Sequence, residues 1–198
     1  DLPVVFSADF AMDAMGWTTR EGSVCQHAAG ERGEGIFRLT KSGPMGAFRA
    51  PTAWAVRGDQ KLAGSFVLTA RARCHTAVTV PGRDILLVIG WTGPLAYHYI
   101  HFSAENSATH NVIMRVEPDG RTMLPHAARP VPRLTKAEWQ SVRVWYDRPS
   151  GLLRCYVDDM GVPVMVARVP GLPAGAIGIG SFDDLVDVDS VTLQAEIR

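Results

Sequence analysis

Tyr97, Tyr99 and His101 stand at alternate positions of one short apolar-polar segment, and His110-Asn111 follows soon after. An imidazole exchanges protons near neutral pH, a phenol donates or accepts a hydrogen bond, and a carboxamide does both. Aromatic rings beside such groups also offer faces for stacking against the C–H surfaces of a ligand. In an extended chain, alternate side chains share a face, so Tyr97, Tyr99, His101 and Ser103 are expected on one side and His98, Ile100 and Phe102 on the other. Asn111, Ile113 and Arg115 alternate in the same way with Val112, Met114 and Val116. A meander of these strands would bring Tyr99, His101 and Asn111 to one exposed sheet surface. His101 and Tyr99 are the candidate catalytic pair; Arg49, Arg71, Trp91, Tyr97 and Asn111 are the candidate binding residues.

Arg49 follows the turn signals Gly43-Pro44 and Gly46, which place it beside a loop on a rigid scaffold, where function often resides. Arg71 lies with Thr69 and Arg73 on the polar side of Ser65–Cys74, whose other side is the apolar row Phe66, Leu68, Ala70, Ala72 and Cys74. It suits either a ligand's oxygen atoms or plain solvation. Asp183, Asp184, Asp187 and Asp189 are four hard oxygen donors close in sequence, a set suited to structural calcium or to an acidic turn. His75, His98, His101 and His110 lack the close spacing of a transition-metal site. Cys25, Cys74 and Cys155 allow at most one intrachain disulfide and match no zinc or redox pattern. No organic cofactor is implied.

The elements that must carry these residues are strands. Val4–Ser7, Ser23–Ala28, Gly35–Lys41, Ser65–Cys74, Arg83–Trp91, Tyr97–Ser103, Asn111–Val116, Trp139–Asp147, Leu152–Asp158, Val162–Val169, Ala176–Phe182 and Ser190–Ile197 alternate or run apolar between Gly and Pro turn signals. Leu134–Glu138 allows one helical turn at most. Many short strands without an amphipathic helix predict an all-β fold, two antiparallel sheets packed face to face as a jelly roll. A chain of 198 residues with 46% hydrophobic content fits a single domain, residues 1–198. N-terminal and C-terminal strands are expected to pair, which brings Asp9 towards the chain end. Twenty basic and 20 acidic residues give zero formal net charge, which argues against nucleic acid or an anionic membrane and favours a neutral ligand. No apolar run has the length of a membrane-spanning helix, and any secretory leader is expected to have been removed.

The order of Asp9-Phe10, Arg49-x-Pro51, Arg83-Asp84, Gly90-Trp91, Tyr97-x-Tyr99-Ile100-His101, His110-Asn111, Trp139 to Val144, Gly151 to Asp158, Pro163-Val164-Met165 and Gly178 to Asp184 resembles the concanavalin A-like lectin/glucanase superfamily. Within it, the chain looks like secreted bacterial domains related to the laminin-G-like group and to the family named 3-keto-disaccharide hydrolase. The resemblance spans nearly the whole chain and implies a concanavalin A-like jelly roll, a carbohydrate ligand on the concave sheet face, a secreted or periplasmic location and often a structural calcium. It marks the fold better than an activity, because lectins, glycosidases, lyases and adhesion modules share the scaffold.

Departures from the enzymes of that group narrow the chemistry. The Glu-x-Asp-x-x-Glu signature of the retaining glucanases is absent, so a glycosidase working through two flanking carboxylates lacks its residues. A polysaccharide lyase needs a cation or amide against the uronate and a Tyr or His for proton transfer; Arg49 or Arg71, Asn111, His101 and Tyr99 supply those types. The Gln-x-His of jelly-roll alginate lyases reads Tyr99-Ile100-His101 here. Three functional expectations therefore stand together. One is a carbohydrate-active enzyme with His101 as proton shuttle; the others are a non-catalytic carbohydrate-binding or adhesion module and a lyase.

Overall fold

The structure is a computed structural model, and it describes residues 2–105, 107–128 and 134–196. Its strands are β1 (Val4–Ala8), β2 (Trp17–Thr19), β3 (Val24–Ala29), β4 (Gly35–Lys41), β5 (Ala53–Lys61), β6 (Phe66–Cys74), β7 (Asp84–Gly93), β8 (Ala96–Ser103), β9 (Val112–Glu117), β10 (Gly120–Met123), β11 (His126–Ala128), β12 (Gln140–Asp147), β13 (Leu152–Val157), β14 (Met165–Arg168), β15 (Ala176–Ser181) and β16 (Val186–Ala195). They form two antiparallel sheets. One has the order β11-β14-β13-β12-β6-β16-β4-β3, with β1 added against β16; the other has the order β10-β9-β8-β7-β15-β5-β2. Among the described residues there is no helix, and Leu134–Glu138 forms a bend without a helical turn.

Period-two patterning builds the space between the sheets. In β6 and β12 every second residue is buried, which turns Phe66, Leu68, Ala70, Val142, Val144 and Tyr146 inward. The facing sheet contributes Ile85, Leu87, Ile100, Phe102, Ile113, Ile177 and Ile179 to the same core. As expected, the terminal strands pair: β1 lies along the second half of β16, from Val4 opposite Gln194 to Ala8 opposite Val191. The C-terminal strand begins at Val186, earlier than its sequence pattern indicates, because the buried Asp187 interrupts the apolar row. Ile197, the last residue of that expected strand, lies outside the described residues.

β7, β8 and β15 are buried on both faces, so the seven-stranded sheet carries a second apolar cluster on the side turned away from the core. That cluster joins Trp54, Val56, Leu86, Val88, Tyr97, Tyr99, Val112, Met114, Val116 and Phe182, with Phe48 and Trp91 packed against it. Burying each such side chain contributes about 1.5–3 kcal/mol. Gly180 explains part of the Gly178-Ile179-Gly180-Ser181 run. Its neighbour Ile179 points into the core, while a Cβ at Gly180 would lie 2.6 Å from the Ala53 carbonyl oxygen and 2.8 Å from the Cβ of Trp54, so only glycine lets β15 pair this closely with β5. The surface expected to be an open polar face is thus a second core. One of its openings lies where His101 and Phe182 end it.

Candidate functional site

A cavity of ≈ 380 Å³ stands at that end, and Arg49, Asp84, His101, His110, Arg121 and Phe182 line it. The β7–β8 hairpin sets its floor. Asp84 pairs with Ser103 and Leu86 with His101, so Asp84 and His101 are diagonal neighbours on one face. His101 Nε2 lies 3.1 Å from Asp84 Oδ2. Asp84 Oδ1 accepts hydrogen bonds from the Ser181 hydroxyl at 2.6 Å and from Phe182 N–H at 3.1 Å. His101 Nδ1 lies 3.1 Å from the Thr109 carbonyl oxygen, which only accepts, so Nδ1 carries a hydrogen. Both ring nitrogens are therefore engaged by the protein.

Arg83, one residue before Asp84, anchors the start of β7 from the opposite side. Its guanidinium donates to the carbonyl oxygens of Leu134, Lys136 and Cys74 at 2.8, 2.7 and 2.5 Å. Asp184 ties down the same corner from outside, accepting from Asp84 N–H at 2.6 Å and from the Thr76 hydroxyl. Burial, and then the charge of Asp84, raise the Asp184 carboxyl above its usual value against the Thr76 hydrogen bond.

The cavity wall is aromatic and cationic. Phe182 packs 5.1 Å from the His101 ring, and the guanidinium carbons of Arg49 and Arg121 lie 5.3 and 5.5 Å from the Phe182 ring centre. Arg121 Nη1 donates to the Tyr99 hydroxyl at 2.8 Å. His110 stacks obliquely on His101 at 5.0 Å, with its Nδ1 2.7 Å from the Ser107 hydroxyl and 3.3 Å from Glu105 Oε2. Burial, then the proximity of His101, hold the His110 pKa below the usual histidine value, with Glu105 opposing.

Of the residues expected here, His101 and Arg49 meet in the cavity. Tyr99 lies beneath it, fully buried, and burial raises its phenol pKa. Tyr97 lines a separate cavity of ≈ 220 Å³ with Phe48, Pro51 and Leu95, and Trp91 lines an open hollow of ≈ 590 Å³ with Trp54 and Thr18. The Trp91 indole nitrogen is buried without a hydrogen-bond partner among the described residues.

Three expectations need correction. Asn111 does not share the face of Tyr99 and His101, because the β8–β9 register sets Val112 opposite His101 and Met114 opposite Tyr99. Its φ is 54°, and its amide closes the loop, accepting from Ser103 N–H at 3.1 Å and donating to the Glu105 carbonyl at 2.6 Å. Arg71 sits on the other sheet, where it pairs with Asp189 at 3.1 Å and lies 5.0 Å over Trp139. Nor do the four aspartates converge on an ion. Asp187 is fully buried among Arg38, Arg73 and His75, Asp189 holds Arg71, Asp184 holds the β7 corner, and Asp183 stays at the cavity. Among the described residues no group of three or more His, Cys, Asp or Glu side chains is placed to hold a metal.

Asp84, His110, Arg121 and Phe182 were not singled out as site residues by sequence reasoning. Asp84 had a signal, a charge opening an apolar run, and Phe182 stood inside the Gly178–Asp184 motif. Arg121 had none, because β10 is a four-residue strand after a short turn.

Two antiparallel sheets with this arrangement define the concanavalin A-like lectin/glucanase fold. Among solved structures, the chain is similar to the carbohydrate binding module CBM66 from Bacillus subtilis, at 14% identity and TM-score 0.61, covering 91% of this chain and 96% of that one. It is also similar to the exoplasmic/lumenal domain of VIP36 in a form bound to Ca2+ and Man3GlcNAc, at 14% identity and TM-score 0.55, covering 92% and 85%. A glycoside hydrolase family protein from Mycobacterium thermorestibile matches at 14% identity and TM-score 0.56, covering 96% and 99%. At these identities the likeness is one of fold. No protein-family model and no curated protein sequence matches the chain.

Proposed function

We propose that this protein binds carbohydrate in the cavity between Arg49, His101, Arg121 and Phe182, and that it is a binding module. The observation that carries the reading is the cavity itself: a preformed hollow with an aromatic wall and convergent polar groups at one end of the second apolar cluster. CBM66, which shares the fold, is a carbohydrate binding module, and the VIP36 domain has been seen bound to Man3GlcNAc. Asp84 beside His101 is the second titratable group that a proton-transfer site would use. Yet a general acid or base needs a ring nitrogen directed at substrate, and both nitrogens of His101 are held by Asp84 and Thr109. We extend the proposal to an extracytoplasmic location, secreted or periplasmic, and to one domain over residues 1–198, supported by the core cluster that both sheets share.

The test is a glycan-panel binding screen combined with an assay for product release. Wild type is expected to bind at least one glycan and release no product, and Phe182→Leu, which keeps apolar volume but removes the ring, is expected to weaken that binding ~10-fold. Product release by wild type that His101→Gln abolishes would replace the binding reading with the enzyme reading. Wild-type binding unchanged in Phe182→Leu would move the site elsewhere.

A further inference from the structure

We propose that the sugar taken by this cavity carries a carboxylate, and that Arg49 and Arg121 hold it; the inference rests on the carbohydrate reading of the same cavity. Both guanidinium groups lie within 5.5 Å of the Phe182 ring centre, and among the described residues neither forms an ion pair. Arg49 is exposed and Arg121 half-buried; two like charges beside one ring repel each other, and an anion placed between them relieves that repulsion.

The carboxylates of the cavity do not supply that anion. Asp84 is taken by Ser181, the Phe182 N–H and His101. Asp184 is taken by the Asp84 N–H and the Thr76 hydroxyl. Asp183 lines the cavity but lies beyond ion-pair distance of both arginines. Arg121 is also aimed. Its Nη1 is fixed on the hydroxyl of the fully buried Tyr99 at 2.8 Å, so the rest of the planar fork keeps one orientation towards the cavity. A fixed planar fork is the geometry that recognises carboxylates with two parallel hydrogen bonds, and fixing it beforehand lowers the entropy cost of binding. The formal net charge of the chain is zero, so selection for an acidic sugar comes from these two side chains and not from a general field.

The experiment is isothermal titration of the whole chain with matched glycan pairs: oligogalacturonate against its methyl ester, and glucuronoxylan fragments against unsubstituted xylan fragments. An acidic member is expected to bind at least ~10-fold tighter than its neutral partner, the scale of one charge-assisted hydrogen-bond set. Arg49→Ala and Arg121→Ala should each erase most of that preference while leaving the melting temperature near wild type, and Arg121→Lys should restore only part of it. Equal affinity for both members of every pair would overturn the carboxylate assignment and leave the carbohydrate reading standing. So would a preference that survives in both alanine variants, or dextran sulfate bound as tightly as the uronates. Wild-type binding to none of these glycans would also overturn it, and neutral glycans outside the pairs would then decide the broader reading.

Discussion

Asp187 on β16 and Arg38 on β4 are direct cross-strand partners, joined through two nitrogen–oxygen contacts of 2.6 and 2.9 Å. Arg73 at 3.1 Å and His75 at 2.7 Å complete the shell around the same fully buried carboxylate. Removing the carboxylate leaves the Arg38 guanidinium without an ion-pair partner, while Arg73 keeps Glu31 at 2.9 Å. Asp187→Ala is expected to cost ~2–4 kcal/mol, less than a wholly buried pair because the Arg38 side chain is 27% exposed. Urea unfolding reads this as a lower midpoint with an unchanged slope. A loss under ~0.5 kcal/mol would mean that the shell is only a solvated surface cluster.

The same carboxylate predicts an acid limb of stability. Burial alone would raise its pKa, but the hydrogen bonds from Arg38, His75 and Arg73 outweigh burial and bring it from 3.8 down to about 2. A depressed folded pKa means that the contribution is fully present above the unfolded value and is lost as pH falls from 3.8 towards about 2. Unfolding free energies measured between pH 5 and pH 2 should therefore fall by ~2 kcal/mol more in wild type than in Asp187→Asn.

His98 predicts a second limb at milder pH. Burial, with the charge of Arg115 added, lowers its pKa from 6.5 to about 4, and its Nδ1 is buried without a hydrogen-bond partner among the described residues. In this window the unfolded chain binds the proton and the folded chain does not. Stability is full above 6.5 and declines as pH falls towards about 4. His98→Leu should flatten that decline by ~2–3 kcal/mol, read from denaturation curves at pH 7 and pH 4.5. An unaltered decline in the variant would assign it to other groups.

These buried charges also show which parts of the molecule were legible beforehand. Strands buried on one face, such as β6 and β12, declare themselves through alternation. β5 did not: Ala53, Trp54, Ala55 and Val56 are apolar on both sides, and Arg57–Lys61 then turns polar, so no period marks its nine residues. The site divided in the same way. His101 and Arg49 were legible because their types are rare in the segments that hold them. Asn111 was misplaced because alternation within a strand does not fix the register between strands; His101 faces Val112, which shifts every later pairing by one parity. The aspartates were misread because charge spacing along a chain says nothing of the basic groups that other strands bring to it, as Arg38 and Arg73 come to Asp187.

Tyr99 shows how far a residue's type can mislead about its role. It was expected to contact ligand, yet it is fully buried and its hydroxyl accepts from Arg121 at 2.8 Å. Its part in binding would therefore run through the orientation of that guanidinium. Tyr99→Phe keeps the ring in the apolar cluster and deletes the acceptor, so stability should change by less than ~1.5 kcal/mol. Affinity for an acidic glycan should fall roughly threefold to tenfold, because the freed arginine must be ordered on binding, while affinity for a neutral partner glycan should hold. In an Arg121→Ala background the same substitution should cost nothing further, since the interaction is already gone. Titration of the four proteins of that cycle with oligogalacturonate and its methyl ester measures the coupling directly. Additive losses in the double variant would show that Tyr99 acts on the ligand by some route other than Arg121.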